Sequence, residues 1–181
     1  MINPPFDAFW SDKQPNHLPF LHLEDDNKAY NARQSIEKLK SVLSKTSPEE
    51  LLAGLSAIIK QDEWRLHLVA CLTLLIKRDL FSAEIQEILW WRLSQGSWVS
   101  PQIAVTLAEI DNQFQARAQA ILKAQAAVVS PAEAAEFQAL ERIKRNQALD
   151  YLTTGNTYSA DPHDNGALFA KDWKEHLRSF F

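Results

Sequence analysis

The chain has 181 residues, 46% of them apolar and 23% charged, with four glycines and eight prolines. That is the length of one domain, 1–181, with an apolar fraction ordinary for a packed core. Its 19 Lys and Arg against 23 Asp and Glu give a formal charge of −4, and no third of the sequence is basic. Residues 1–60 carry seven cations against eight anions, 61–128 six against seven, and 129–181 six against eight. A protein that binds nucleic acid by neutralising phosphates normally shows a positive stripe. The balance weakens that class, although a fold can still gather scattered cations on one face.

Cys71 is the single cysteine, so no intramolecular disulfide can form. It lies in the run Leu68–Ile76, where a small apolar side chain packs well. A reactive thiol there needs a neighbouring cation and access to water. The run is nine residues long, well below the roughly 20 that span a bilayer. The first residues, Met1-Ile2-Asn3-Pro4-Pro5-Phe6-Asp7, lack the basic and apolar regions of a signal peptide. The expectation is a soluble cytoplasmic protein that does not enter membranes.

Residues 1–27 hold four prolines and the aromatics Phe6, Phe9, Trp10 and Phe20. Proline fixes φ and removes backbone donors, so no long helix forms here. The aromatic content is unlike a solvated tail, and the segment reads as an extended lasso packed over the first helices. The functional alternative is a segment that docks on a partner.

The period then becomes helical. Tyr30, Ile36, Leu39, Val42 and Leu43 predict a helix over about 27–45. Ser47-Pro48-Glu49-Glu50 is a helix start: a capping serine, proline at the first position, then acids at the positive dipole end. Asp62 is expected to cap a third helix whose apolar residues lie nearly all round, which marks a buried central element. Ser82 opens a fourth that stops at Gly96; Ser100-Pro101 opens a fifth; Asp111 caps a sixth; Ser130-Pro131 opens a seventh that ends before Gly155. Over 156–181, a polar turn at Asp161–Gly166 precedes a short helix running to Phe180-Phe181. No stretch alternates with period two long enough for a sheet, so the fold is all-α, with about seven helices plus the N-terminal segment.

Two helix pairs look alike. Leu55–Arg65 leads into a helix with Leu68 and Ala70, and Val105–Phe114 leads into one with Ala118 and Ala120. In both, a striped helix ends at a short turn, an Asp follows and then an aromatic. This pattern resembles the unit of HEAT-like helical repeat proteins over roughly residues 48–128. The usual proline of the first helix and the regular Val-Arg step are missing. The resemblance implies stacked antiparallel hairpins in a right-handed α-solenoid; the other reading is an irregular bundle.

The segment Trp90-Trp91-Arg92 through Gly96-Ser97-Trp98 is the least ordinary part of the chain. Ile85, Ile88, Leu89 and Leu93 span the core-facing arc, with Trp90 and Trp91 on its flanks. The plain reading packs both indoles between neighbours. The functional one exposes an indole as a binding anchor, a role for which Trp and Arg are favoured. Arg92 falls within the apolar arc, so it must reach water or a carboxylate, with Asp62, Glu109 and Asp111 as candidates. Trp90, Trp91, Arg92 and Trp98 are therefore the candidate partner-binding residues. His67 and Cys71 share a helix face, but metal sites need three or four ligands, and His67 reads as a hydrogen-bonded core histidine. His17 and His22 with Glu24, Asp25 and Asp26 lack ligand spacing, and His163-Asp164 beside Gly166 reads as a turn. No phosphate loop, nucleophile elbow or paired metal motif occurs, so no cofactor, metal or catalytic residue is assigned.

The HEAT-like resemblance implies a protein-binding module, of the kind of small bacterial toxin-neutralising (immunity-type) or adaptor proteins that work by occlusion. The acidic balance favours a basic protein partner. A DNA glycosylase-type enzyme of that fold would need Arg65, Arg92, Arg117 and Arg142 gathered on one wall. A helical small-molecule carrier would line a pocket with its tryptophans.

Overall fold

The computed structural model describes residues 5–9, 16–24, 31–126, 136–157 and 165–181, and no strand occurs among them. Eight α-helices occur among the described residues: α1 (Ala32–Leu43), α2 (Pro48–Lys60), α3 (Trp64–Ile76), α4 (Ala83–Gln95), α5 (Ser100–Ile110), α6 (Phe114–Ala126), α7 (Glu136–Thr154) and α8 (Gly166–Leu177). Three short 3-10 turns, Phe6–Phe9, Leu18–Phe20 and Arg78–Leu80, complete the regular structure. No helix among the described residues is long and apolar enough to cross a membrane.

Local chemistry sets the boundaries. Ser47 accepts the Glu50 N–H at 3.3 Å while the Glu50 carboxylate accepts the Ser47 N–H at 3.2 Å, a capping box ahead of Pro48. Ser82 caps α4 by accepting the Ile85 N–H, and α4 stops at Gly96, whose φ of +91° suits a residue without Cβ. Three caps differ from the sequence expectation. Glu63, not Asp62, caps α3, because its extended backbone turns its carboxylate onto the Arg65 N–H and leaves Asp62 pointing to solvent. Ser100 lies inside the first turn of α5, where its hydroxyl donates to the Ser97 carbonyl and accepts the Ser97 N–H.

Asp111 ends α5 and stands three residues before α6, which begins at Phe114, so it does not occupy the expected cap position; its carboxylate accepts the Gln113 N–H in the turn between the two helices. The Ser130-Pro131 start and most of the 161–166 turn lie outside the described residues. Asn165 caps α8, accepting from Ala167 and Leu168. That helix ends at Leu177, short of Phe180-Phe181. Gly166 is a close approach: a Cβ there would lie 1.9 Å from the Lys144 carbonyl oxygen, so only glycine lets α8 meet α7.

Every residue of α3 from Leu66 to Leu75 is buried, as its all-round apolar pattern predicts. The packing alternates along the chain. Helix α2 packs on α3 and α4, α3 packs on α5, and α5 packs on α7 and α8 as well as on its neighbours α4 and α6. The look-alike helices α2 and α5 each pack on the next two helices, α3 and α4 for one and α6 and α7 for the other, but α5 also packs on α3, α4 and α8. In the N-terminal segment, Phe6, Phe9, Phe20 and Leu23 are buried. Its Phe20 and Leu21 carbonyls accept from Trp173 of α8 and Gln102 of α5. Trp10 lies outside the described residues.

Two arginines serve as helix caps across the fold. Arg92 of α4 donates from Nε to the Ile59 carbonyl and from Nη2 to the Lys60 carbonyl, both at 2.9 Å, closing the C-terminal end of α2. Arg145 of α7 donates to the Leu93 and Ser94 carbonyls near the end of α4. Both guanidiniums are buried. Each meets the negative end of a helix dipole and carbonyls that lack an intrahelical partner.

Candidate functional site

The turn between α2 and α3, the turn between α4 and α5, and the side of α7 surround a cleft of about 730 Å³. Three of the four candidate residues line it: Trp91, Arg92 and Trp98. Trp91 and Trp98 are 44% and 52% exposed, among the most exposed large apolar side chains of the described residues. Trp64, at the head of α3, lies 5.6 Å from Trp98 between ring centroids, with the planes inclined by 43°. A second cavity of about 330 Å³, bounded by Pro101, Gln102 and Phe169, shares Trp98 as a wall.

Trp90 is not part of this surface. It is 4% exposed and its indole N–H donates to Asp111 Oδ2 at 2.7 Å, with Phe114 stacked at 5.9 Å and the Arg117 guanidinium 4.9 Å over its ring. Its flank of α4 faces α6, whereas the flank of Trp91, one residue on, faces the cleft. As a binding anchor it is corrected to a core residue. Arg92 is likewise 4% exposed. Its guanidinium stacks 4.8 Å over Trp91, but its donors are engaged by the two α2 carbonyls, and only a 3.5 Å contact reaches Asp62 Oδ1. Of the carboxylates expected to meet it, Asp62 does so loosely, while Asp111 takes Trp90 and Glu109 pairs with Lys174.

His67 forms the inner wall. Its Nε2 lies 2.9 Å from the Gln61 carbonyl, which can only accept, so Nε2 carries the proton and Nδ1 accepts from Ser97 Oγ at 2.8 Å. Burial holds the imidazole neutral, its pKa lowered to about 4. The order carbonyl, imidazole, hydroxyl is that of an activated serine. However, the Ser97 N–H goes to Ser100 Oγ and the Val99 N–H to Ser97 Oγ, so these nearby donors are already used within the turn. The pair ties the 97–99 turn to α3 and so fixes where Trp98 stands. As expected, His67 is a hydrogen-bonded core histidine. Cys71 is fully buried, and burial pushes its thiol up to about 12.

On the α7 side stands Glu141. Its carboxyl is held above the ordinary range, first by burial and then by the neighbouring charge of Asp62. It lies close enough to Gly96 that a Cβ there would come within 3.1 Å of Oε2. Sequence reasoning missed Glu141 and Trp64 as site residues. Trp64 carried only the signal of an aromatic at a helix start, and Glu141 comes from a helix some fifty residues away, with no local signal at all.

The other candidates disperse. Arg65 lines the cleft, Arg117 pairs with Glu87 at 2.8 and 3.0 Å across α4 and α6, and Arg142 is exposed on α7 outside the cleft lining. His17 is buried against the Phe9 carbonyl and His22 is exposed. Asp25, Asp26, His163 and Asp164 lie outside the described residues. No group of three or more His, Cys, Asp or Glu among the described residues is placed to hold a metal. Family models, characterised proteins and solved structures give no match to this chain.

Proposed function

We propose that the protein is a non-catalytic binding module of stacked helical hairpins whose cleft docks a basic protein partner. The observation that carries this reading is the pair Trp91 and Trp98, two half-exposed indoles on the wall of one cleft. Leaving large apolar rings in water at neighbouring positions marks a surface used for recognition. A HEAT-like stack, in the pairs α2/α3, α4/α5 and α6/α7, is supported by the contacts of α2 with α4, of α3 with α5 and of α5 with α7. In that register the look-alike segments fall on different layers, so the stack rests on packing and not on sequence repetition. The mechanism is occlusion of the partner, as an immunity-type or adaptor protein acts, with no bond made or broken. A cytoplasmic setting fits the lone buried thiol.

Affinity capture of the tagged protein from its native cells at moderate salt tests the reading. The expected result is a stoichiometric basic protein held by the wild type and lost from Trp98→Ala, which stays folded. Recovery of nucleic acid without a protein partner would contradict it. A carrier of small molecules is the second reading, favoured by a cleft volume within the ~300–1,000 Å³ of ligand pockets. A bound metabolite released by denaturing the purified protein would establish that instead. The glycosylase-type reading loses ground because Arg117 and Arg142 stand away from the cleft and Arg92 is engaged by α2 carbonyls.

A further inference from the structure

The charges around the cleft are not equally engaged. Arg65 Nη1 sits 2.8 Å from Glu63 Oε1 and its guanidinium lies 4.7 Å over the Trp64 ring. Arg92 is committed to the end of α2. Both cations of the cleft therefore have internal partners. The acids do not match them. Asp62 is fully exposed with one 3.5 Å contact, and Glu141, half-buried, has no hydrogen bond or ion pair among the described residues and feels Lys144 and Arg92 only at longer range. A partly desolvated carboxylate without a partner is an unfavourable arrangement that a cation relieves. The rings that line the same cleft are three indoles, the aromatic surface best suited to a cation. The molecule already uses this chemistry three times, with Arg65 on Trp64, Arg92 on Trp91 and Arg117 on Trp90.

We propose that the cleft is a receptor for one cationic side chain, an arginine or lysine presented by the basic partner, held by the Glu141 carboxylate between Trp91 and the Trp64–Trp98 pair. This rests on the docking reading above and gives it its chemistry. Asp62 at the mouth would attract the side chain, and Glu141 would bind it. An arginine fits best, because a planar guanidinium can stack on an indole and bond a carboxylate at once.

The test is a titration of the full chain, labelled at its indole nitrogens, with the peptide acetyl-Gly-Arg-Gly-amide, its lysine form and its citrulline form. Citrulline keeps the shape of arginine and removes the charge. The expected result is that the arginine and lysine peptides move the N–H signals of Trp64, Trp91 and Trp98 while Trp90 and Trp173 stay fixed. The citrulline peptide should bind at least about tenfold more weakly, and Glu141→Gln should weaken the arginine peptide by about the same factor. Equal binding of the charged and neutral peptides, or an unchanged affinity in Glu141→Gln, would overturn the proposal. Choline binding more tightly than the arginine peptide would also overturn it, by assigning the cleft to a free small cation. The two readings fail separately. A captured partner that is lost with Trp98→Ala but kept with Glu141→Gln removes the cation receptor and leaves the docking face. Peptide binding that needs Glu141, in a protein whose partner is retained by Trp98→Ala, removes the docking reading and leaves the cation site.

Discussion

Trp90 and Trp91 are consecutive residues of one helix, each under an arginine, with an acid bonded to one and acids lining the cleft of the other, and they end in opposite situations. Around Trp90 the set is closed. Asp111 takes the indole N–H, Phe114 covers one side, and Arg117 lies over the ring while its donors reach Glu87. Around Trp91 the set is open. Arg92 has turned its donors to α2, Glu141 is left over, and Trp91 and Trp98 remain half in water. Residue types are nearly the same on the two flanks. What separates them is whether each polar atom finds a partner inside the chain, and that is why one flank is core and the other reads as a site.

The comparison can be broken at several points, and the largest effect belongs to the closed side. Trp90→Ala empties a buried aromatic site and should cost about 3–5 kcal/mol in denaturant unfolding; a loss near zero would mean Trp90 is not core. Next comes pH. His67 should contribute stability above its unfolded pKa of 6.5, lost progressively as pH falls towards about 4, because the unfolded chain takes up the proton first. Over that window the loss amounts to about 3 kcal/mol, and His67→Gln should flatten the pH profile of the melting temperature. Asp111→Ala follows, leaving the Trp90 N–H unsatisfied at about 1–3 kcal/mol. On the open side, Trp98→Ala should cost only about 1 kcal/mol, the share of a half-exposed ring packed on Trp64, while partner capture is lost. The smallest effect is expected of Glu141→Gln: removing a charge without a bonded partner should not lower the melting temperature, and a clear fall would show a structural role.

Much of the fold was legible because it is written locally. The Ser47–Glu50 box, the Ser82 cap, the Gly96 stop and the uniform burial of α3 each depend on residues within a few positions of one another. The site was legible in part. Trp91 and Trp98 announce themselves as large rings at an interrupted helix end. Arg92 was placed correctly in the apolar arc, yet its partners proved to be main-chain carbonyls, which every residue carries and no side-chain pattern reveals. The division between Trp90 and Trp91 was illegible for a related reason. Both flank the same arc, and only the placement of α6 and α7, elements distant in sequence, decides which flank is covered. Glu141 enters the cleft from one of those elements. Asp62 was misread as a cap because Glu63, one position on, holds the required extended backbone, and Ser100 because α5 begins one residue earlier than its Ser-Pro signal implies, with Val99 at the cap position.

Hydrogen exchange of the indole N–H groups tests the distinction between the closed and open tryptophans most directly. The prediction is slow exchange at Trp90 and Trp173, whose N–H groups donate to Asp111 and to the Phe20 carbonyl, and fast exchange at Trp91 and Trp98, slowed when the basic partner is added. Slow exchange at Trp91 and Trp98 in the free protein, or no slowing at either on binding, would contradict the account.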